Sequence, residues 1–261
     1  MCPAESILDL QVDLELQQAV WDRNGLLRSL YRTWFTQIAH QLSAVSGPTV
    51  ELGSGIGKLR ETIPGVTLTD VLPTPWTDRI ADAERLPFDD ESLANLVLID
   101  VFHHIPHPGR FFDEAQRCLL QGGRVVLLEP YCSPASYQAY RRWHHEATDL
   151  LVDPFAGDAQ STSVPLDANQ ALPTLFFFRQ AKHFTARWPG LRIIYRRRLA
   201  MIAYPLSGGW HRRQLLPERL LGPALALERL LEPLTPLLAF RCLVVLERDA
   251  TRGTLPATPR G

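Results

Sequence analysis

Apolar and polar positions follow two rhythms along this chain. Trp21, Leu27, Leu30, Tyr31, Trp34, Ile38 and Leu42 recur at mostly helical spacing, with an interruption at Asn24-Gly25, and this stripe predicts an amphipathic helix. Residues 5–19 mix Leu, Val, Asp, Glu and Gln and suit a leading helix or strand. Beyond Ser46-Gly47-Pro48 the pattern changes to short apolar runs bounded by turn residues. Val50–Leu52, Val66–Asp70, Arg79–Asp82, Leu93–Val101 and Arg124–Glu129 read as strands, and the run from Leu93 is apolar enough to be covered on both faces. Lys58–Ile63 and Gly109–Leu120 read as helices between them, the second carrying Phe111, Phe112, Ala115 and Leu119 and closed by Gln121-Gly122-Gly123. Strand and helix alternate from 48 to 130, which predicts a parallel sheet with helices on both faces and right-handed crossovers.

The C-terminal half is less regular. Residues 136–151 are expected to be helical, with Trp143-His144-His145-Glu146 inside the helix. Residues 153–175 are rich in Pro, Gly, Asp, Ser and Thr and read as an insertion or lid. Leu175 to Trp188 resumes with three consecutive phenylalanines. Leu191–Tyr204 predicts a long strand with Arg196, Arg197 and Arg198 on its exposed or edge side. Leu215–Ala239 reads as short apolar helices broken by prolines, Arg241–Arg248 as a final strand, and 250–261 as a disordered tail. The expected organisation is an N-terminal helical segment (1–47), one α/β domain (48–249) with inserted segments near 131–190 and 205–239, and the tail.

Composition narrows the function. The chain has 261 residues, 46% hydrophobic and 21% charged, enough for one elaborated domain with a buried core. Its net charge of -1 argues against a nucleic-acid partner, which calls for a basic excess. Cysteines at 2, 118, 132 and 242 lack Cys-x-x-Cys spacing, so reduced thiols and a cytoplasmic setting are expected rather than a zinc or disulfide framework. The segment Met1-Cys2-Pro3-Ala4-Glu5 does not read as the start of a signal peptide. No apolar run reaches the length of a membrane span.

The candidate chemistry centres on Gly53-Ser54-Gly55-Ile56-Gly57. A strand, a glycine turn, a short helix and a second strand ending in Asp70 make the opening of a nucleotide-binding sheet. Further acids at 82, 100 and 129 fall at or just beyond strand carboxyl ends, where ligands of open α/β sheets bind. Histidine titrates near working pH, so His103, His104, His144 and His145 are the candidates for proton transfer. Packing or capping is the competing role for each. No metal is expected, because adjacent histidines on a helix at 144–149 point apart.

The residues together resemble the class I S-adenosylmethionine-dependent methyltransferases, in the broad type 11 group that includes the ubiquinone/menaquinone-biosynthesis C-methyltransferases. The resemblance is carried by Glu51-Leu-Gly53-Ser-Gly55-Ile-Gly57, by Asp70, and by Asp82-Ala83-Glu84-Arg85-Leu86-Pro87-Phe88-Asp89. Asp100-Val-Phe-His103-His104-Ile-Pro106 and Gly122-Gly123 complete it. It implies a Rossmann-like fold: a mostly parallel seven-stranded sheet with an antiparallel last strand, helices on both faces, and N- and C-terminal helical elaborations. It also implies S-adenosyl-L-methionine as cofactor. The Gly53–Gly57 backbone, Ser54 included, would bracket the methionine part, with Glu51 toward its amino end. Asp70 would take the ribose hydroxyls, Asp82 the adenine amino group, and Ala83 would offer a backbone donor. Asp100, Val101 and His103 would line the cofactor and front the transferred methyl.

A long insertion at 205–239, where the group has a short hairpin, leaves the acceptor open. A small-molecule or lipid-like acceptor is expected, held by residues 10–40, 130–180 and 205–238. Leucines over 215–238, with arginines at 212, 213, 219 and 229, suit a helical cap, a homodimer surface or a peripheral membrane contact across 212–238. Two other readings stay open: a non-catalytic binding or scaffold protein on the same fold, and an NAD-dependent oxidoreductase, whose ribose an acid at the second strand end also suits.

Overall fold

The computed structural model describes residues 14–144, 146–156, 168–210 and 212–249. Its strands are β1 (Thr49–Leu52), β2 (Thr67–Asp70), β3 (Arg79–Ile80), β4 (Leu93–Ile99), β5 (Leu119–Pro130), β6 (Leu191–Leu199) and β7 (Arg241–Arg248). They make one seven-stranded sheet in the order β3-β2-β1-β4-β5-β7-β6. The first five are parallel, and β7 lies between β5 and β6, antiparallel to both. This is the mostly parallel sheet with an antiparallel last strand that the family resemblance implies.

Alternating side chains divide the core into two layers. Leu96, Leu98, Val125, Leu127, Val244 and Leu246 face one layer, while Val97, Val126, Leu128, Leu243 and Val245 face the other, as the two-residue period of a strand requires. In the first layer, α3 (Pro108–Cys118) packs Phe111 and Phe112 against Phe102, Phe176, Phe177 and Phe184. The second layer is covered by a helix over residues 14–23, labelled α1, and by α2 (Gly25–Gln41). Asn24 separates them: its side chain accepts the Leu27 N–H and donates to the Ser207 carbonyl at 2.9 Å. The interruption in the hydrophobic stripe is therefore a helix cap.

Several boundaries differ from the sequence expectations. Residues 58–63 hold only a short 3-10 turn, Lys58–Glu61, entered from Gly57 in the left-handed region. The third strand ends at Ile80. The phenylalanine helix stops at Cys118, and Gln121-Gly122-Gly123 lies inside β5 instead of closing the helix. The next helix, α4 (Pro134–Trp143), starts with a Ser133–Ser136 capping box and ends before the histidines. Beyond Trp143 the chain is pulled away from helical geometry by a bridge between Ala147 and Asn169, with the Gln170 N–H donating to the Ala147 carbonyl at 3.0 Å.

The apolar stretch after the insertion is a turn, α5 (Leu172–Thr174), a π-helical turn (Leu175–Arg179) and α6 (Ala181–Arg187). The strand expected to reach Tyr204 ends at Leu199. Ala200 turns at φ +66°, and α7 (Ala203–Ser207) begins where Glu228 accepts the Ile202 and Ala203 N–H groups. Arg196 and Arg197 are exposed on β6, which is an edge strand, and charge there discourages pairing with another chain.

Residues 215–239 contain α8 (Leu221–Leu230) and α9 (Thr235–Leu238), with Leu215, Leu230 and Leu237 largely exposed. No described helix is long and apolar enough to cross a membrane. His145, the segment 5–13, residues 157–167 of the expected lid and the expected tail lie outside the described residues.

Candidate active site

The carboxyl ends of β1, β2, β4 and β5 meet at one edge of the sheet. At the end of β1 the chain turns through Gly53 at φ +65°, and a Cβ there would lie 2.5 Å from Val101 Cγ2. Only glycine permits both the backbone angle and this approach. The turn is tied to β2: Ser54 N–H donates to the Thr69 carbonyl at 2.8 Å, Gly55 N–H donates to Asp70 Oδ2 at 3.1 Å, and the Thr69 hydroxyl donates to the Glu51 carbonyl.

Two buried polar atoms beside this turn, Glu51 Oε2 and Ser54 Oγ, have no hydrogen-bond partner. An unsatisfied buried group costs roughly 1–3 kcal/mol, so this edge is built to receive donors from outside the protein. Burial, then the neighbouring Asp70, pushes the Glu51 carboxyl well above its usual range, with Arg60 opposing. Burial also raises Asp70, partly offset by the backbone N–H groups of Gly55, Leu72 and Val71. Asp82 is exposed beyond β3, with Oδ1 accepting the Glu84 N–H at 2.8 Å, and Ala83 beside it is half-buried. The ammonium, diol and amino group of S-adenosylmethionine are donors that these carboxylates and the orphaned oxygens fit.

Asp100 serves a different neighbour. It sits at φ +59° just past β4. One carboxylate oxygen accepts the Tyr31 hydroxyl at 2.7 Å, and the other pairs with the buried guanidinium of Arg241 at the start of β7. Trp210 Nε1 donates to Tyr31, and the rings of Trp34 and Tyr204 flank Arg241 at 5.6 and 5.3 Å. Burial alone would lower the Arg241 pKa, but Asp100 more than compensates and holds it well above its usual value. The Asp100 carboxylate is thus committed to anchoring the loop that carries Val101.

That loop continues as a 3-10 turn, Phe102–His104. Glu129, fully buried near the end of β5, organises it. Its Oε1 accepts the N–H groups of Val101 and Phe102 at 3.0 and 2.8 Å, and its Oε2 lies 2.7 Å from His103 Nδ1. On the other side, His103 Nε2 is 3.4 Å from Glu146 Oε2, and His104 Nε2 is 3.6 Å from Glu146 Oε1. Gln170 donates to Glu146 at 2.7 Å and also contacts the His144 ring. Burial acts to lower the His103 pKa, but the hydrogen bonds to Glu129 and Glu146 outweigh it and raise it to about 10. Glu146, despite burial, is held well below the usual carboxylate range by His103 and His104.

The structure therefore brings Glu51, Gly53, Ser54, Gly55, Asp70, Val101, His103 and His104 to one edge, with His144 at its rim. Gly57 lies one turn on, its would-be Cβ 2.8 Å from Leu68. Glu129 carried only a strand-end signal in the sequence. Glu146 figured in the sequence only as part of a metal set at 144–149, and Tyr31, Arg241 and Gln170 come from distant segments and carried no site motif.

A glycine turn after β1, an acid at the end of β2 and an antiparallel β7 inserted beside β5 make the Rossmann-like class I methyltransferase fold. Residues 50–127 match the family model described as a methyltransferase domain, and the stretch is similar to methyltransferases of the ubiquinone/menaquinone group. The ubiquinone/menaquinone biosynthesis C-methyltransferase UbiE of Brucella canis is 30% identical over 95 residues, covering 36% of this chain and 35% of the relative. The mitochondrial 2-methoxy-6-polyprenyl-1,4-benzoquinol methylase of Danio rerio is 24% identical over 181 residues, covering 64% of this chain and 54% of the relative. The chain thus spans about a third to a half of the length of these relatives. Among solved structures, geranyl diphosphate C-methyltransferase from Streptomyces coelicolor A3(2) aligns with a TM-score of 0.49 at 13% identity, covering 85% of this chain and 80% of that one.

Proposed function

We propose that the chain binds S-adenosylmethionine at the carboxyl ends of β1, β2 and β4 and transfers its methyl group to a small, apolar or lipid-like acceptor by direct displacement. The observation that carries this reading is the pair of orphaned oxygens, Glu51 Oε2 and Ser54 Oγ, flanking the glycine turn. When bound, the cofactor supplies an activated methyl on a sulfonium, and the protein's share is binding and orientation. Glu51 and the 53–57 backbone hold the methionine end, Asp70 the ribose, and Asp82 the adenine edge. Val101, packed over Gly53, closes the wall toward the acceptor.

An oxygen or nitrogen acceptor that must lose a proton would meet His104 and Glu146. His103, clamped between two carboxylates, orients its neighbours. A cytoplasmic location suits the reduced cysteines.

Isothermal calorimetry tests the cofactor. S-adenosylhomocysteine is expected to bind and NAD is not. Asp70→Ala should weaken binding roughly 10–100-fold, the worth of one or two charge-assisted hydrogen bonds. Binding of NAD without S-adenosylhomocysteine would overturn the assignment.

Cofactor binding should also carry a linked protonation of definite sign. The Glu51 carboxyl of the unliganded protein is raised above 4.5, so it holds its proton to higher pH than a free glutamate. An ammonium ligand favours the carboxylate, so binding should release a proton until the pH exceeds that raised pKa. Binding heats should then vary with the ionisation enthalpy of the buffer and cease to vary in Glu51→Gln. A buffer-independent heat in the parent protein across the acidic to neutral range would remove this role.

The exposed leucines at 215, 230 and 237, flanked by Arg212, Arg213, Arg219 and Arg229, support a lipid-facing surface for the acceptor. The protein is expected to float with anionic phosphatidylglycerol vesicles and to lose that association in Leu230→Glu/Leu237→Glu. Equal flotation of the variant, or none by the parent, would discard the lipid-facing surface.

A further inference from the structure

We infer that His103, His104 and Glu146 form a binding site for a divalent transition-metal cation of the zinc type, supported from behind by Glu129 and Gln170. Their donor groups all lie within 4.8 Å of one another. The individual separations are 3.4 Å from His103 Nε2 to Glu146 Oε2 and 3.6 Å from His104 Nε2 to Glu146 Oε1. A tetrahedral ion with bonds of about 2.0–2.2 Å sets neighbouring donors about 3.3–3.6 Å apart. Each imidazole already stands at that spacing from one oxygen of the Glu146 carboxylate.

The chemistry of the supports points the same way. Glu129 Oε1 accepts two backbone N–H groups, so this buried carboxylate is fixed in its acceptor role. Its Oε2, 2.7 Å from His103 Nδ1, receives the proton on that nitrogen. A carboxylate behind Nδ1 leaves Nε2 as the donor atom toward Glu146, which is the usual support of a metal-bound imidazole. Gln170, itself buried, donates to Glu146 Oε2 at 2.7 Å and sets the carboxylate plane. The Asn169 N–H donates to the His103 carbonyl at 3.0 Å, pinning the segment that carries Gln170 to the loop that carries both imidazoles.

Two imidazoles and one carboxylate suit zinc, cobalt or iron over magnesium or calcium, which prefer oxygen ligands. His104 and Glu146 are 33% and 15% exposed, so the cluster can be reached from solvent. Three protein ligands leave one coordination position for water or for an oxygen of the acceptor. Only the acceptor oxygen rests on the methyl-transfer reading; the cation site does not.

The test uses the full chain freed of metal with EDTA, with no S-adenosylmethionine present, so its outcome is separate from that of the cofactor assignment. Calorimetry with Zn2+ is expected to give one ion per chain, and Co2+ the visible absorption of a tetrahedral site. Mg2+ should give no heat. Glu129→Gln, whose amide would donate to Nδ1 and force the proton onto Nε2, should weaken Zn2+ binding roughly 10–100-fold. His104→Ala changes a partly exposed side chain, so the fold is retained, and it should lose more affinity than Glu129→Gln. His107→Ala, on a histidine paired with Glu84 outside the cluster, should bind Zn2+ like the parent. Absence of Zn2+ binding by the parent protein, or equal binding by a folded His104→Ala, would overturn the site and leave an ordinary histidine–carboxylate network.

Discussion

Asp100→Asn is expected to lower stability by about 3 kcal/mol, at the lower end of the 3–5 kcal/mol range for breaking a buried ion pair. The Arg241 guanidinium is 2% exposed and has Asp100 as its ion-pair partner. Asparagine keeps an acceptor for the Tyr31 hydroxyl and tolerates the left-handed backbone at this position. The substitution therefore removes charge with little change of shape. The Asp100 side chain is itself 27% exposed, so water can partly replace it, and the rings of Trp34 and Tyr204 still face the cation. Both effects hold the loss near the lower bound. Urea unfolding at unchanged slope measures it. Adding Arg241→Met should recover much of the loss, because the unpaired charge leaves with it. A change within about 0.5 kcal/mol, ordinary for a surface substitution, would show that the pair carries no such weight.

Glu129→Gln is expected to cost about 3–5 kcal/mol for a related reason. Glu129 is fully buried and meets three donors: the N–H groups of Val101 and Phe102, and the imidazole of His103. An amide oxygen can still serve the two backbone groups, but its NH2 then donates to Nδ1, so the ring proton must move to Nε2 and the buried charge pair is lost. The loss should appear in urea melts of the EDTA-treated protein, and His103→Gln introduced alongside should restore part of it. Additive losses in the double variant would mean that the two side chains act independently. If Glu129 organises the reacting end of the site, turnover should fall further than affinity for S-adenosylhomocysteine.

The sheet was legible because strand chemistry is local. Leu96 and Leu98 alternate with Val97, and the structure places them on opposite faces. The glycine turn was legible because left-handed backbone and close approach leave few alternatives to glycine at position 53. The helix end at Trp143 was not legible. Residues 136–151 have acceptable helical composition, and what stops the helix is the partnership of Ala147 with Asn169 and of Glu146 with His103 and Gln170. Those partners lie in other segments, so local propensity loses to tertiary contacts. The same holds for Arg241, which reads as the first residue of a strand. Only the assembled fold brings it to Asp100 and Tyr31. Lys58–Glu61 shows the opposite limit: a helix begun from a left-handed glycine and stopped within one turn has too few residues to announce its type.

The position of β7 bears on how this protein is made. Residues 241–248 enter the sheet between two strands synthesised well before them, β5 and β6. A chain emerging from the ribosome must hold those neighbours apart, each with an open edge, until the central strand arrives. The closure is non-local and therefore slow, and both edges are hazards for aggregation in the interval. Arg241 comes with the same strand. Until it docks, the Asp100 side of the loop before Val101 lacks its cation, so the sheet and the anchoring of that loop are completed in one late event.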